Sequence, residues 1–325
     1  MAYPPCSVTQ EEAARCIGLA SGQPRRAAAI ARASGIATRA SVVPPEDIVR
    51  LGTIEERNAV YRAHAPGLSA EAARAALDGH DPATVGCLVT SSCTGYALPG
   101  WGTELVPTLG LPSSTARVPL TESGCAGGVV ALARAADYVR NRPGQGALTV
   151  ATELCSLAFH ADGDDGNLTS SMIFGDGAGA ALLTHGDEPG LDIIDSASML
   201  VPASGHALGF DLTDRGFYPV LDRHLADIIA APAQEAVRSL LDRNGLSESD
   251  VAAWLLHPGG ARILQQLEAA FCLAPGQASW SWASLRQRGK HLVGGHLRCV
   301  ASVSAGHHGA FRLGPGDWIR SRRLH

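Results

Sequence analysis

Glu122-Ser123-Gly124-Cys125-Ala126-Gly127-Gly128 runs straight into Val129, Val130, Leu132, Ala135, Ala136 and Val139, which are apolar positions on a helical spacing. The stretch predicts a cysteine at a glycine-flanked turn that opens a helix. Outward from it the pattern alternates. Residues 85–90 are a short apolar run that reads as a buried strand. Residues 146–151 read as a second strand, and 178–184 as a third after a Gly-Asp-Gly turn. Upstream, residues 11–20, 25–33 and 69–77 have helical composition and spacing. Downstream, 232–243 reads as a helix stopped by Asn244-Gly245, 251–256 as a strand, and 262–271 as a helix with Ile263, Leu264, Leu267 and Phe271 on one face. Strands alternating with helices predict a layered α/β fold. Asp187-Glu-Pro-Gly190 is the best boundary between two halves, and no internal repeat is visible.

Composition narrows the function classes. The chain has 325 residues, 46% apolar and 18% charged, enough for a large packed interior and incompatible with wholesale disorder. A formal charge of −5 leaves no basic footprint for nucleic acid. No apolar run approaches the ~20 residues a membrane helix needs. The start, Met1-Ala2-Tyr3-Pro4-Pro5, lacks the basic end and apolar core of a signal peptide, so a cytoplasmic protein is expected. Eight cysteines are scattered without a CxxC pair, which argues against both a zinc knuckle and a disulfide framework.

Two residues stand out as reactive. At the turn before a helix, the Cys125 thiolate would face unpaired N–H groups, whose dipoles favour the anion. The competing reading is a buried core cysteine. His257, in Trp254-Leu-Leu-His-Pro-Gly-Gly260, leaves the end of an apolar run and enters a turn, a place where α/β sites collect. On its own it is more often a satisfied turn or core histidine; beside an activated cysteine it becomes a candidate base and oxyanion donor. Phe174-Gly-Asp-Gly-Ala-Gly179 precedes a strand rather than opening a helix, so it reads as a tight turn with Asp176 bonding backbone amides, not as a phosphate cradle.

These motifs, with Ser92-Cys-Thr-Gly95, Leu98-Pro-Gly100 and Leu208-Gly-Phe-Asp-Leu-Thr-Asp-Arg-Gly-Phe217, resemble the type III polyketide synthases, the chalcone- and stilbene-synthase-like enzymes, and their bacterial branch most. The resemblance is ordered and runs from about Pro4 to Gly289. It implies a thiolase-type α/β fold: two similar halves in an α-β-α-β-α sandwich, usually a homodimer. Residues 1–187 would form the half with the nucleophilic cysteine and 188–289 the half with the catalytic histidine. It implies an acyltransferase that holds an acyl group from an acyl-CoA starter on Cys125 and condenses it with malonyl-CoA. His257 would stabilise the thiolate, and no metal or cofactor beyond coenzyme A thioesters is called for. Family positions map the substrate cavity onto Cys93, Leu98, Cys155, Ala158 and Phe174, with Phe174 as a gate and the small Cys155 and Ala158 leaving room. Arg39 falls at a coenzyme A phosphate contact; its plainer reading is a solvated arginine. The segment Tyr3–Gln10 resembles the stretch just after the family's first strand, as though that strand were missing. A β-ketoacyl-acyl-carrier-protein synthase III-like enzyme is the alternative within related chemistry, although that family carries His-Gln-Ala-Asn at the histidine turn. An inactive acyl-CoA-binding pseudoenzyme is the alternative outside it.

The pseudoenzyme alternative rests on a departure. The family needs an asparagine in a Gly-Asn-Met-Ser-Ser-Ala-like segment, and here Gly289 is followed by Lys290. Lysine is longer, charged and donor-only, so it does not mimic a short amide. Residues 290–325 hold six Lys/Arg, one acid and five of the twelve histidines, with no helical or strand period. Lys290-His-Leu-Val-Gly-Gly-His296 back-translates to AAR CAY CTN GTN GGN GGN CAY. Dropping the first A permits Asn-Ile-Ser-Ser-Ala-Ala, close to the family segment. The expectation is therefore an out-of-frame tail after a one-nucleotide insertion near codon 290, with the last strands of the second half missing or disordered.

Overall fold

A computed structural model describes residues 1–186 and 190–290, together with a short antiparallel pair, Phe311–Arg312 and Trp318–Ile319. Strand β1 (Cys6–Thr9) leads into helix α1 (Gln10–Ala20), whose start is fixed by a reciprocal pair of bonds between Thr9 and Glu12. Helix α2 (Pro24–Ala33) opens on a proline, and strand β2 (Thr38–Ser41) returns antiparallel to β1. A single turn, α3 (Pro45–Ile48), precedes the long helix α4 (Ile54–Leu77). Only residues 69–77 of α4 read as helix in the sequence, and Pro66 lies inside the observed helix. The helix continues through it, begun by a Thr53/Glu56 capping box and held along one side of the sheet by packing against two strands.

That sheet is the centre of the first half. Strand β3 (Val85–Ser91) is followed by α5 (Gly102–Thr108), β4 (Ala116–Leu120), α6 (Gly127–Asn141), β5 (Gly146–Leu154), α7 (Asp165–Ile173) and β6 (Asp176–Leu183). The order is β4-β3-β5-β6; β3 runs parallel to both β4 and β5, and β6 is antiparallel. Alternate residues of β3 serve opposite faces. Leu88 packs with Tyr61, Ala65 and Leu105 on the α4–α5 side, whereas Cys87 and Val89 pack with Ala131, Ala135 and Val139 of α6. A strand covered on both faces reads as a continuous apolar run, which is why β3 and β5 are visible in the sequence.

The second half has a hairpin, β7 (Leu208–Thr213) and β8 (Gly216–Leu221), then helices α8 (Leu225–Arg243), α9 (Ala261–Ala270) and α10 (Ser279–Arg288). The expected strand at 251–256 is not formed. A strand exists only by pairing, and this segment makes no ladder among the described residues; Trp254 N donates to the Gln277 carbonyl at 3.1 Å instead. Among the described residues the second half therefore has the hairpin but no multistranded sheet of its own. The expected boundary at 187–189 and the tail from 291 onward, save the short pair, lie outside the described residues.

Arg39 and Asp176 tie distant segments of the first half together, and Arg39 corrects the expectation made for it. Its side chain is 6% exposed and donates to the carbonyls of Ser171 and Phe174. It is neither solvated nor available to a coenzyme A phosphate; burial lowers its pKa to about 10, with Asp176 opposing the change. Asp176 does bond backbone amides, but those of distant segments: it accepts from Val42 N at 2.8 Å, Ser156 N at 2.8 Å and Ser156 Oγ at 2.6 Å. Asp176→Ala would leave these donors unmet and the buried Arg39 charge uncompensated. A loss of about 3–5 kcal/mol is expected in denaturant unfolding. A loss under about 1 kcal/mol would show that water replaces the carboxylate.

Candidate active site

Cys125 stands on a single 3-10 turn, Gly124–Ala126, between β4 and the first residue of α6. Gly124 takes φ +50, which an L side chain rarely adopts, so the glycine before the cysteine is required by the turn. The turn sets Cys125 at the wall of a cavity of about 510 Å³. Cys93, Phe174, Lys290 and the inner face of the β7–β8 hairpin line the same cavity. Phe174 is 5% exposed; its ring centroid is 6.3 Å from that of Phe210, which meets Phe217 edge-on at 6.0 Å. The expected gate residue is thus one of three aromatic rings on one side of the cavity.

Lys290 occupies the position where an amide was expected, and it is inside. It is 2% exposed. Its N–H donates to the Ile173 carbonyl at 2.7 Å, and its carbonyl accepts from Gly175 N at 3.0 Å, which brackets Phe174. Gly289 supplies the bend, at φ +73, where an added Cβ would sit 2.9 Å from the Ile173 carbonyl. The Lys290 ammonium lies 5.4 Å from the Phe174 centroid, a cation–π distance. It also reaches the Cys125 thiol by charge and hydrogen bond.

The electrostatics of Cys125 differ from the sequence expectation. Burial is the largest influence and pushes its thiol up; Lys290 pulls it down, Glu153 pushes it up, and the backbone N–H of Cys125 itself adds a smaller downward pull. The Lys290 charge, more than the helix terminus, offsets part of that rise, and the thiol stays above its ordinary value. Cys93, the other thiol on the cavity, is pushed up strongly by burial and by the Glu153 carboxyl.

Glu153 is not among the residues that the sequence brings forward, although a lone acid in the apolar stretch Gly146–Leu154 is a signal. It is fully buried, accepting from Cys93 N at 2.9 and 3.1 Å and from Thr94 Oγ1 at 2.5 Å, so it fixes the Ser92–Thr94 turn beside the cavity. Burial pushes its carboxyl up to about 7. A folded-state value above the unfolded one means stability that is complete below the usual carboxylate range and lost as pH rises through about 7. Asp176, pushed up to about 6 by burial, acts in the same direction. Urea unfolding between pH 5 and 8 is therefore expected to show stability falling with pH, and Glu153→Gln to flatten that fall. Equal slopes in the two proteins would show that Glu153 does not titrate in this range.

Other positions expected at the cavity fall elsewhere. Cys155 and Ala158 are 1% and 3% exposed and pack in the cluster behind Phe174 rather than on the cavity; Cys155 lines a separate void of about 30 Å³. They do not widen the cavity as expected. Leu98 is 84% exposed and is not part of the cavity wall of its own chain. His257 is half-buried and does not line the cavity, but Leu256 and Ala261 to either side pack into the apolar cluster that contains Cys125 and Phe174. Among the described residues, no group of three or more His, Cys, Asp and Glu side chains is placed to hold a metal ion, and no helix is long and apolar enough to cross a membrane.

Comparison with known proteins decides the family. Residues 44–189 match the profile of the chalcone and stilbene synthases, N-terminal domain, and residues 192–293 that of the C-terminal domain. The chain belongs to the chalcone and stilbene synthase family. It is 32% identical over 292 residues to the 1,3,6,8-tetrahydroxynaphthalene synthase of Streptomyces peucetius subsp. caesius, covering 88% of this chain and 76% of that protein. It is 32% identical over 303 residues to the alpha-pyrone synthesis polyketide synthase-like Pks18 of Mycobacterium tuberculosis, covering 88% and 77%. The crystal structure of 1,3,6,8-tetrahydroxynaphthalene synthase from Streptomyces coelicolor A3(2), a bacterial type III polyketide synthase, superposes with a TM-score of 0.90 at 27% identity, over 95% of this chain and 91% of that one. The thiolase-like α/β fold and the acyltransferase class of type III polyketide synthases come with this membership.

Proposed function

We propose that this chain accepts an acyl group from a coenzyme A thioester on Cys125 and extends it by decarboxylative condensation with malonyl-CoA. The observation that carries the reading is Cys125 on the wall of an about 510 Å³ cavity with a buried cation at its sulfur. The thiolate attacks the thioester carbonyl, the acyl–Cys125 bond forms, and the coenzyme A thiolate leaves with a proton. Malonyl-CoA then loses carbon dioxide. Its enolate oxygen needs donors while the new carbon–carbon bond forms and Cys125 departs. His257 is the proposed donor from the second half, supported by the packing of its neighbours with the Cys125 cluster. Lys290 is the candidate donor that lines the cavity at the expected amide position.

Incubating the purified protein with malonyl-CoA and a series of acyl-CoA starters tests this. Polyketide products without carrier protein are expected. Products only with an acyl carrier protein would favour the synthase III-like alternative, and acylated Cys125 without products the pseudoenzyme, which the lysine at 290 favours. The proposed site of action is the cytoplasm, where such thioesters are available. The proposed assembly is a homodimer; exposed apolar side chains such as Leu98 and Leu200, at 84% and 88%, support a second copy as cover. Light scattering at about twice the chain mass is the expected result.

A further inference from the structure

An amine at a thioester is more than a charge. Lys290 and Cys125 share one cavity wall, and the lysine is held there by its own backbone bonds to Ile173 and Gly175 and by the Phe174 ring. Its side chain is almost wholly withdrawn from water. The two reactive groups therefore line one half-open cavity, and held side by side they could reach effective concentrations of about 10⁵ M and above. We propose that Lys290 is a second acyl acceptor, taking the acyl group from Cys125 and holding it as an amide. The inference rests on Cys125 being the first acceptor.

The steps balance without any added reactant. In the reactive form of the pair, the Cys125 thiolate faces the Lys290 ammonium. When the thiolate takes the acyl group, the coenzyme A thiolate leaves with the ammonium's proton, so a neutral amine remains beside the new thioester. The amine nitrogen attacks the thioester carbonyl, the carbon–nitrogen bond forms, and the carbon–sulfur bond breaks. The amine proton passes to the departing sulfur, leaving an amide on Lys290 and a free thiol at Cys125. Exchange of a thioester for an amide is downhill, so the acyl group stays on nitrogen. An asparagine at the same place could donate a hydrogen bond but could not accept the acyl group this way. The cavity would thus trap one acyl group per chain, competing with extension by malonyl-CoA.

The probe is hexanoyl-CoA, followed by intact-mass measurement, treatment with neutral hydroxylamine and peptide mapping. In the unaltered chain given one equivalent of hexanoyl-CoA, one equivalent of coenzyme A is expected to be released, with a hydroxylamine-resistant adduct on Lys290. Lys290→Arg keeps the charge and should give a hydroxylamine-labile adduct on Cys125. Cys125→Ala should give no adduct. An adduct that stays hydroxylamine-labile on Cys125 in the unaltered chain, through prolonged incubation, overturns the inference, and this arm needs no variant to fold. Acylation of Lys290 in Cys125→Ala at the unaltered rate also overturns it, since the lysine would then react directly. No adduct on either residue, in the unaltered chain and in Lys290→Arg alike, overturns the assignment of Cys125 itself and the relay with it.

Discussion

Cys125→Ala is expected to abolish acyl transfer, with a loss on the order of 10⁴ or more, because no other group then takes the acyl group from coenzyme A as a thioester. The cavity does contain a second thiol, Cys93, but burial and the adjoining Glu153 carboxyl keep it protonated. Cys125 has the Lys290 ammonium at its sulfur. The measurement is coenzyme A release from an acyl-CoA starter, with thermal unfolding as a check that the variant folds. Retention of more than about a tenth of the rate by folded Cys125→Ala would place the nucleophile elsewhere.

Lys290→Asn is expected to raise product formation by about 10²–10³, the typical effect of one correctly placed oxyanion donor. The backbone of residue 290 is already positioned by the bonds to Ile173 and Gly175, so the substitution changes the side chain on a fixed frame. It replaces a long cation with a short neutral amide and also removes a nearly unexposed charge. Steady-state product formation from malonyl-CoA, compared between the two proteins, reads the effect. An unchanged or lower rate in folded Lys290→Asn would mean that the lysine is the working donor. We further propose that the asparagine is what the coding sequence specifies once a single nucleotide near codon 290 is removed; resequencing across codons 285–295 tests that directly.

Much of the first half is legible in the sequence because its sheet is covered on both sides. β3, β5 and α6 announce themselves as apolar runs, and the glycines around Cys125 mark the turn between β4 and α6. Sequence and structure part where long-range packing decides. Arg39 sits in a four-residue strand with nothing local to suggest burial; carbonyls of α7 and its end, and the carboxylate of Asp176, supply its surroundings from more than 130 positions away. Resemblance maps Cys155 and Ala158 to the cavity, but they do not line it and are buried in the apolar cluster that includes Phe174. The cavity wall formed by β7 and β8 shows in the sequence only as a motif. Its Phe210 stands between exposed Gly209 and Asp211, so no buried run betrays it. Residues 251–256 read as a strand from composition alone, and composition does not supply a partner to pair with.

The most direct test is to find where the starter acyl group is carried in the first turnover. Lys290→Asn, which removes the competing amine, is mixed with hexanoyl-CoA, quenched in acid before malonyl-CoA is added, and mapped by peptide mass spectrometry. A thioester on Cys125 that disappears into product when malonyl-CoA is added to a parallel sample is the expected result. A thioester on Cys93 or Cys155, or one on Cys125 that malonyl-CoA never discharges, would contradict it.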